Sequence, residues 1–387
     1  MNRYQEELQR LEQAHLTRSL KTSVRGESAT IRGEGDTLVD FSSNDYLGLS
    51  RHPRLIETAI RATERYGVGS GASRLISGTS PAHAECEEVV AECKQAESAL
   101  LFANGYMTAL GVLTSLCSKD DVIILDKLAH ACLIDGARAS GARMRVFPHN
   151  NVNRLEALLK SERERLSAGA QIIIVIESVY SMDGDLCPLA EIVRLKNEYG
   201  ALLLMDEAHG LGVLGPCGMG LAEELGLQDE VELQMGTLGK AAGGAGGYIA
   251  CSRLLRDMMV NKARSLIFTT APPPAQAAVA AASFDLMRSA QDLRSRLTSF
   301  REYVSQALGG IDVPSAICPI IIGENGAALA ASTHLRDAGF VVPAVRYPTV
   351  PRGSARLRLT LSAAHTMEQV AQVIELVQLE LVRIQRG

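Results

Sequence analysis

Between residues 98 and 205 the chain repeats one pattern, a short apolar run, a polar break and then a longer stretch with helical spacing. The runs are Ser98-Ala99-Leu100-Leu101-Phe102, Val122 to Leu125, Met144-Arg145-Val146-Phe147, Ile172 to Ile176 and Ala201 to Met205. A strand with one wet face alternates apolar and polar residues, whereas runs that are apolar nearly throughout are covered on both faces. Short buried strands separated by helices predict an α/β domain with a parallel sheet and helices on both faces. Ahead of this pattern, Leu8, Leu11 and His15 on a charged background suggest an amphipathic arm, and strand-like runs occur at 29–31 and 38–41.

The pattern stops at Ala271-Pro272-Pro273-Pro274, and a long Ala-rich helical stretch runs from about 275 to 308. A smaller unit follows, with strand-like runs at 317–322 and 356–361, a helix near 327–338 and a closing helix from 366. The expected organisation is an arm with short strands over 1–48, a large domain over 49–285 and a small C-terminal α/β domain over 286–387. No low-complexity linker separates the last two, so they are expected to pack together.

A net charge of -5 over 387 residues argues against nucleic acid as the main partner, as do the absence of Trp and an aromatic content of 4%. The eight cysteines form no CxxC pair and lie mostly in apolar company, as reduced core residues do, and no zinc-ligand spacing is present. Met1 to Glu7 is polar and acidic, unlike a secretory or transit peptide, and no apolar stretch reaches the roughly 20 residues of a spanning helix. The expectation is a soluble cytoplasmic protein.

Ligands of a parallel sheet bind beyond the carboxyl ends of its strands. Three runs end in polar clusters: Asp126-Lys127-Leu128-Ala129-His130, Glu177 through Asp185, and Asp206-Glu207-Ala208-His209-Gly210. Singly, Asp206 reads as a helix cap, His209 as a structural histidine and Ser181 as a turn residue. Lys240, enclosed in Gly236-Thr237-Leu238-Gly239-Lys240-Ala241-Ala242-Gly243-Gly244, reads alone as a solvated lysine on a Gly-rich hairpin. Together they suit pyridoxal phosphate, which needs a lysine for a Schiff base and a carboxylate to keep its pyridine nitrogen protonated. Asn104-Gly105-Tyr106 opens a helix after the run ending at Phe102, a natural phosphate anchor, and Thr237 can add a hydroxyl. A dinucleotide fold is disfavoured, because Gly67-Val68-Gly69-Ser70-Gly71 follows a helical pattern rather than a strand.

With these residues assembled, the chain resembles the α-oxoamine synthases, pyridoxal phosphate enzymes of fold type I, from about residue 16 to 382. The resemblance is carried by Ser42-Ser43-Asn44-Asp45-Tyr46-Leu47-Gly48-Leu49, Gly69 to Gly78, Ser181-Met182-Asp183-Gly184-Asp185, Asp206 to Gly210 and Gly236 to Lys240. It implies a large domain with a mostly parallel seven-stranded sheet and a smaller α/β C-terminal domain. It also implies that Lys240 holds pyridoxal 5'-phosphate as a Schiff base and then serves as a base, its flanking glycines giving it room to swing. Asp206 would pair with the pyridine nitrogen, His209 with the ring hydroxyl, and His130 would stack on the ring beside the substrate. Ser181 would contact the cofactor, and Gly105, Tyr106 and Thr237 would hold the phosphate with Thr270 of a neighbouring subunit in a homodimer. Asn44 and Arg358 would bind the amino-acid carboxylate, and Arg18 and Thr349 the acyl substrate.

Within the family, Val342 to Pro351, Ala355 to Thr360 and Asp126 to His130 are most similar to members condensing L-alanine with a pimeloyl thioester, carried on coenzyme A or possibly acyl carrier protein. A synthase or 2-amino-3-ketobutyrate CoA ligase using glycine or serine would share every cofactor residue. A non-catalytic partner subunit would typically lack the lysine. Asn104 and Cys132 depart from the family pattern, which usually has Ser or Thr at the first position and Ser at the second.

Overall fold

The computed structural model describes residues 2–13, 16–17, 20, 22–33 and 35–386. Its centre is a seven-stranded sheet of β1 (Ser98–Phe102), β2 (Val122–Asp126), β3 (Arg143–Phe147), β4 (Ile172–Glu177), β5 (Leu202–Asp206), β6 (Leu233–Thr237) and β7 (Gly247–Cys251). The spatial order is β1-β7-β6-β5-β4-β2-β3. Neighbours pair in parallel except at β7, which runs antiparallel to both β1 and β6.

Apolar runs become strands here because both faces are covered; β3, at the sheet edge, is not covered on both faces as its run implied and buries only Phe147, whereas β4 is buried at every position. Its Ile172, Ile174 and Ile176 enter one apolar cluster with Leu155, Ile192 and Phe284, from helices on one side. Ile173 and Val175 enter a second cluster with Val112, Leu133 and Met259, from helices on the other. The period-two alternation of Cβ directions thus sends one continuous apolar run into two cores.

Three details differ from the expected pattern. Asp126, Glu177 and Asp206 are the last residues of their strands rather than the first residues beyond them. The helical stretch after the prolines is two helices, Pro274–Ser289 and Gln291–Ala307, parted at Ala290. Two sheet strands, β6 and β7, lie outside the expected runs, and β6 lacks the continuous apolar signature. In β6 the buried Gln234 donates to Lys94 O and Gln228 O, and Gly236 leaves space for the opposing Tyr248, whose Oη would lie 2.5 Å from a Cβ there.

A second, three-stranded antiparallel sheet consists of β8 (Ile317–Gly323), β9 (Ala344–Val345) and β10 (Ala355–Thr360), with β10 central and fully buried. Short strands at Val24–Arg25, Thr30–Arg32 and Thr37–Asp40 form another sheet, closed in parallel by Phe340–Val341. The N-terminal strands are therefore tied to the C-terminal unit. Ile317, Leu357 and Val370 share a buried cluster with Leu203 and Ile174, so the two units pack on one core. No helix among the described residues is long and apolar enough to cross a membrane. Seven of the eight cysteines are buried, and Cys217 is exposed.

Candidate active site

Because β1, β2, β4, β5 and β6 point the same way, their carboxyl ends form one edge, which gathers Gly105, His130, Glu177, Asp206 and Thr237. Lys240 joins them from the loop between β6 and β7, which is a hairpin because Thr237 pairs with Gly247. The lysine is not solvated in the ordinary way, since its Nζ lies 2.8 Å from His209 Nε2. Burial lowers its pKa, Asp206 and Glu177 oppose that, and Arg358 lowers it again. Among the glycines, Gly243 has a packing reason: at φ +68 its Cβ would sit 2.5 Å from the Leu49 carbonyl carbon. It lets the loop lie on the chain that leads from Tyr46, a contact no larger residue could make.

From Lys240 a line of hydrogen bonds crosses to the small sheet. Beyond Nε2, His209 Nδ1 meets Tyr46 Oη at 2.5 Å, and Tyr46 Oη donates to Asn44 Oδ1 at 3.2 Å. Asn44 Oδ1 accepts from Arg358 Nη1 and Nη2 at 3.3 Å each. Burial, followed by the charges of Lys240 and Arg358, holds His209 well below the usual histidine pKa. A neutral ring whose Nδ1–H donates to Tyr46 leaves Nε2 to accept from Lys240. Tyr46 itself is fully buried, which pushes its hydroxyl up to about 12. Arg358, on β10, is fixed by Nε to Ser181 O at 2.6 Å and Nη1 to Thr360 Oγ1 at 2.9 Å.

Asp206 lies at the floor of this edge. Its Oδ1 accepts from Ala208 N at 2.9 Å, and its second oxygen has no protein donor among the described residues. Desolvation raises its pKa to about 6, with the Lys240 charge opposing. Glu177 stands opposite it in register across β4 and β5, equally buried. Its carboxyl is pushed well above the ordinary value, first by burial and then by Asp206. Glu177 Oε1 accepts the His130 N–H at 2.6 Å and so aims that residue into the cleft. The His130 ring is open to the cleft, yet partial desolvation and the Lys240 charge lower its pKa. Cys132 gives this ring its orientation, its Sγ 3.0 Å and its N–H 3.3 Å from Nδ1, so the usual serine is replaced by a group that can do the same work.

At the other end of the cleft, Asn104 caps the helix Gly105–Leu116 by accepting Met107 N–H at 2.9 Å. Asparagine is as good a cap as the serine or threonine it replaces. A Cβ at Gly105 would reach Thr237 Cβ at 3.4 Å, filling the notch between the helix start and β6. Glycine keeps that notch open beside the first N–H groups of the helix, where an anion is favoured. Tyr106 turns its hydroxyl outward to Asp135. An unpartnered oxygen on a buried Asp206, a shielded lysine amine and an open anion notch together fit pyridoxal phosphate.

The remaining expected residues lie farther out. Ser181 is at the tip of the hairpin closed by Val179 and Leu186, and its carbonyl rather than its hydroxyl is engaged. Thr349 lines an open groove of about 770 Å³ with Leu8, Leu11, Met182 and Tyr347. Thr270 is not joined to the Lys240 network within one chain; it bridges to Ser73 on the exposed surface. Arg18 lies outside the described residues. Reading the chain alone passed over Tyr46 and Glu177 as working groups, although Tyr46 stands two residues from Asn44 and Glu177 ends an apolar run as Asp206 does.

Residues 36–377 match the model for aminotransferase class I and II. The chain is 44% identical over 377 residues to an 8-amino-7-oxononanoate synthase of Geobacter sulfurreducens, covering 95% of each. A serine palmitoyltransferase of S. paucimobilis, solved with a bound pyridoxal phosphate–myriocin adduct, superposes with a TM-score of 0.91 at 29% identity, over 99% of this chain and 98% of that one. An 8-amino-7-oxononanoate synthase of Francisella tularensis superposes with a TM-score of 0.77 at 26% identity, over 89% of this chain and 98% of that one. With likeness this extensive and a lysine, carboxylate and anion notch converging at the strand ends, the chain belongs to the fold type I, pyridoxal phosphate-dependent aminotransferase class I and II family, and within it to the 8-amino-7-oxononanoate synthases.

Proposed function

We propose that this chain condenses L-alanine with a pimeloyl thioester, releasing carbon dioxide and the free thiol and forming 8-amino-7-oxononanoate, a step of biotin biosynthesis. The observation that carries the reading is the continuous line from Lys240 through His209, Tyr46 and Asn44 to Arg358. It sets a candidate proton acceptor and a candidate carboxylate binder at opposite ends of one preorganised network.

Pyridoxal phosphate, when bound, supplies the electron sink that makes the α-C–H of an amino acid acidic. Asp206 would hold the ring nitrogen with its buried carboxylate, a desolvated anion that a protonated nitrogen would balance. His130 would cover the ring as a neutral imidazole, and the helix start at Gly105 with Thr237 would hold the phosphate. The Arg358 guanidinium accepts the alanine carboxylate as a two-pronged fork. Lys240, its proton affinity reduced by burial, removes the α-proton. As the α-carbon bonds to the thioester carbonyl, the thiolate leaves and takes a proton. The former alanine carboxylate departs as carbon dioxide, and Lys240 returns a proton to the same carbon.

A second reading is that serine is the amino acid, since a serine palmitoyltransferase superposes more closely than the Francisella synthase does. Sequence identity favours alanine, 44% against 29%, and pocket side chains rather than backbone path select a substrate. Carbon dioxide release with alanine, glycine and serine, each offered pimeloyl-coenzyme A and pimeloyl-acyl carrier protein, tests both points. Alanine should be preferred, and a clear preference for serine or glycine would overturn the assignment.

The assembly is read as a homodimer with Thr270 reaching the partner's phosphate. Val68, Ile76 and Phe268 stand on the two segments joined by the Ser73–Thr270 bridge and the Ser70–Pro272 hydrogen bond and are 82%, 81% and 70% exposed, apolar surface that a second copy would cover. Thr349 and Arg18 are read as contacts to the acyl substrate. The compartment is read as the cytoplasm, where buried thiols stay reduced.

A further inference from the structure

The strand end that leads to His130 and the hairpin that carries Ser181 meet at His149. Its Nδ1 lies 3.0 Å from Asp126 Oδ1, and its Nε2 lies 2.7 Å from Asp185 Oδ2. Carboxylate oxygens only accept, so an imidazole can serve both at once only as the imidazolium, which donates from each nitrogen. Burial alone would lower the pKa of His149, but the hydrogen bonds and charges of Asp126 and Asp185 outweigh it and raise the value to about 10. Besides these carboxylates the ring meets Tyr180, edge-on with centroids 4.4 Å apart.

Each carboxylate is wired onward into the site. Asp126 Oδ1 also accepts Leu128 N–H at 2.8 Å and Oδ2 accepts Asn150 N–H at 2.9 Å, which shapes the turn ending at His130. Asp185 Oδ2 also accepts from Asn150 Nδ2 at 3.1 Å, and Asp185 O accepts Tyr180 N–H at 3.1 Å to close the hairpin. At the hairpin tip Asp183 pairs with Arg356 at 2.7 Å, and Ser181 O holds Arg358 Nε. Gly184, at φ +69, lies so close to Ile317 that a Cβ would meet its carbonyl oxygen at 2.2 Å.

We propose that His149 is a positioning residue, a cationic clasp that fixes the spacing between the His130 ring and the Ser181–Arg358 carboxylate cradle. It touches neither reacting group, yet both stand on segments it joins. The inference rests on the roles proposed above for His130 and Arg358. A guanidinium oriented through one backbone carbonyl loses its aim when the hairpin shifts, and small misplacements of a binding group are costly.

Two measurements test it on wild type, His149→Gln, His149→Arg and Asp185→Asn. Amide hydrogen exchange on the cofactor-free protein should speed up together in segments 127–131 and 179–187 of His149→Gln and slow again in His149→Arg, which restores a cation with several donors. L-alanine titration of the pyridoxal phosphate-loaded enzyme should show a dissociation constant and KM raised about tenfold in His149→Gln, with kcat within about threefold. That is the loss expected from one weakened charge-assisted hydrogen bond. Asp185→Asn should reproduce the loosened hairpin and the weaker alanine binding even if His149→Gln fails to fold. Unchanged exchange in either segment overturns the clasp, and so does alanine affinity within about twofold of wild type beside a lowered melting temperature, which would mark a purely structural role. If wild type itself does not bind alanine, the proposed function fails instead, and the exchange arm still judges the clasp.

Discussion

Replacing Arg358 with lysine tests the proposed carboxylate site most directly. Of the five guanidinium N–H groups, Nε is committed to Ser181 O at 2.6 Å and one on Nη1 to Thr360 Oγ1 at 2.9 Å. Two more, one on each Nη, lean on Asn44 Oδ1 at 3.3 Å, long contacts that a substrate carboxylate can displace at small cost. Lysine keeps the charge but has no planar fork, so one charge-assisted hydrogen bond of about 1.5–3 kcal/mol is forfeited. At about 1.4 kcal/mol per tenfold, alanine should bind roughly 10- to 150-fold more weakly. Initial rates with alanine varied at saturating pimeloyl thioester, and then the reverse, separate the effects. The KM for alanine should rise by that factor, with kcat within about fivefold and the thioester KM unchanged. An unchanged alanine KM beside a raised thioester KM would assign Arg358 to the acyl substrate and refute the reasoning.

Asp206→Asn should stabilise the cofactor-free protein at neutral pH while weakening cofactor binding and abolishing turnover. Because burial raises the folded pKa from 3.8 to about 6, stability present below pH 4 is lost as pH rises through 6, roughly 3 kcal/mol at most. The variant should therefore melt above wild type at pH 7.5 with little gain at pH 4, and an equal difference at both values would contradict this. Asn104→Ala should cost about 1 kcal/mol in urea unfolding and release cofactor more readily, whereas Asn104→Ser should be nearly neutral on both measures. Ile76→Glu should shift the assembly to monomers in sedimentation equilibrium and lower cofactor affinity with it, as a partner-supplied Thr270 requires; a variant that stays dimeric would move the interface elsewhere.

The strand ends were legible in the chain itself because a strand buried on both faces needs an apolar run, and Asp126, Glu177 and Asp206 interrupt such runs visibly. Lys240 was legible as an oddity but not as a half-buried amine, since its partner His209 stands on another strand end, distant in sequence. Tyr46 and His149 escaped for the same reason: their meaning lies in contacts with His209, Asp126 and Asp185 that no local pattern encodes. Of the strands flanking Lys240, β6 was hidden by Gln234 and Gly236, whose suitability depends on Lys94 and Tyr248 across the fold. The roles expected of Ser181 and Thr270 came from family resemblance, and within one chain Ser181 engages only through its carbonyl while Thr270 stands apart.

The antiparallel β7 has a consequence for anyone re-engineering this scaffold. Lys240 rides on a loop whose two ends, Thr237 and Gly247, are stitched to each other and whose return strand is stitched in turn to β1, the strand leading to the phosphate notch. Residues 238–246 therefore behave as a cassette with both borders locked. A lengthened or shortened cassette would retune the reach of the amine while leaving the frame that holds the carboxylates and the anion notch in register, so reach and framing can be varied as separate design parameters.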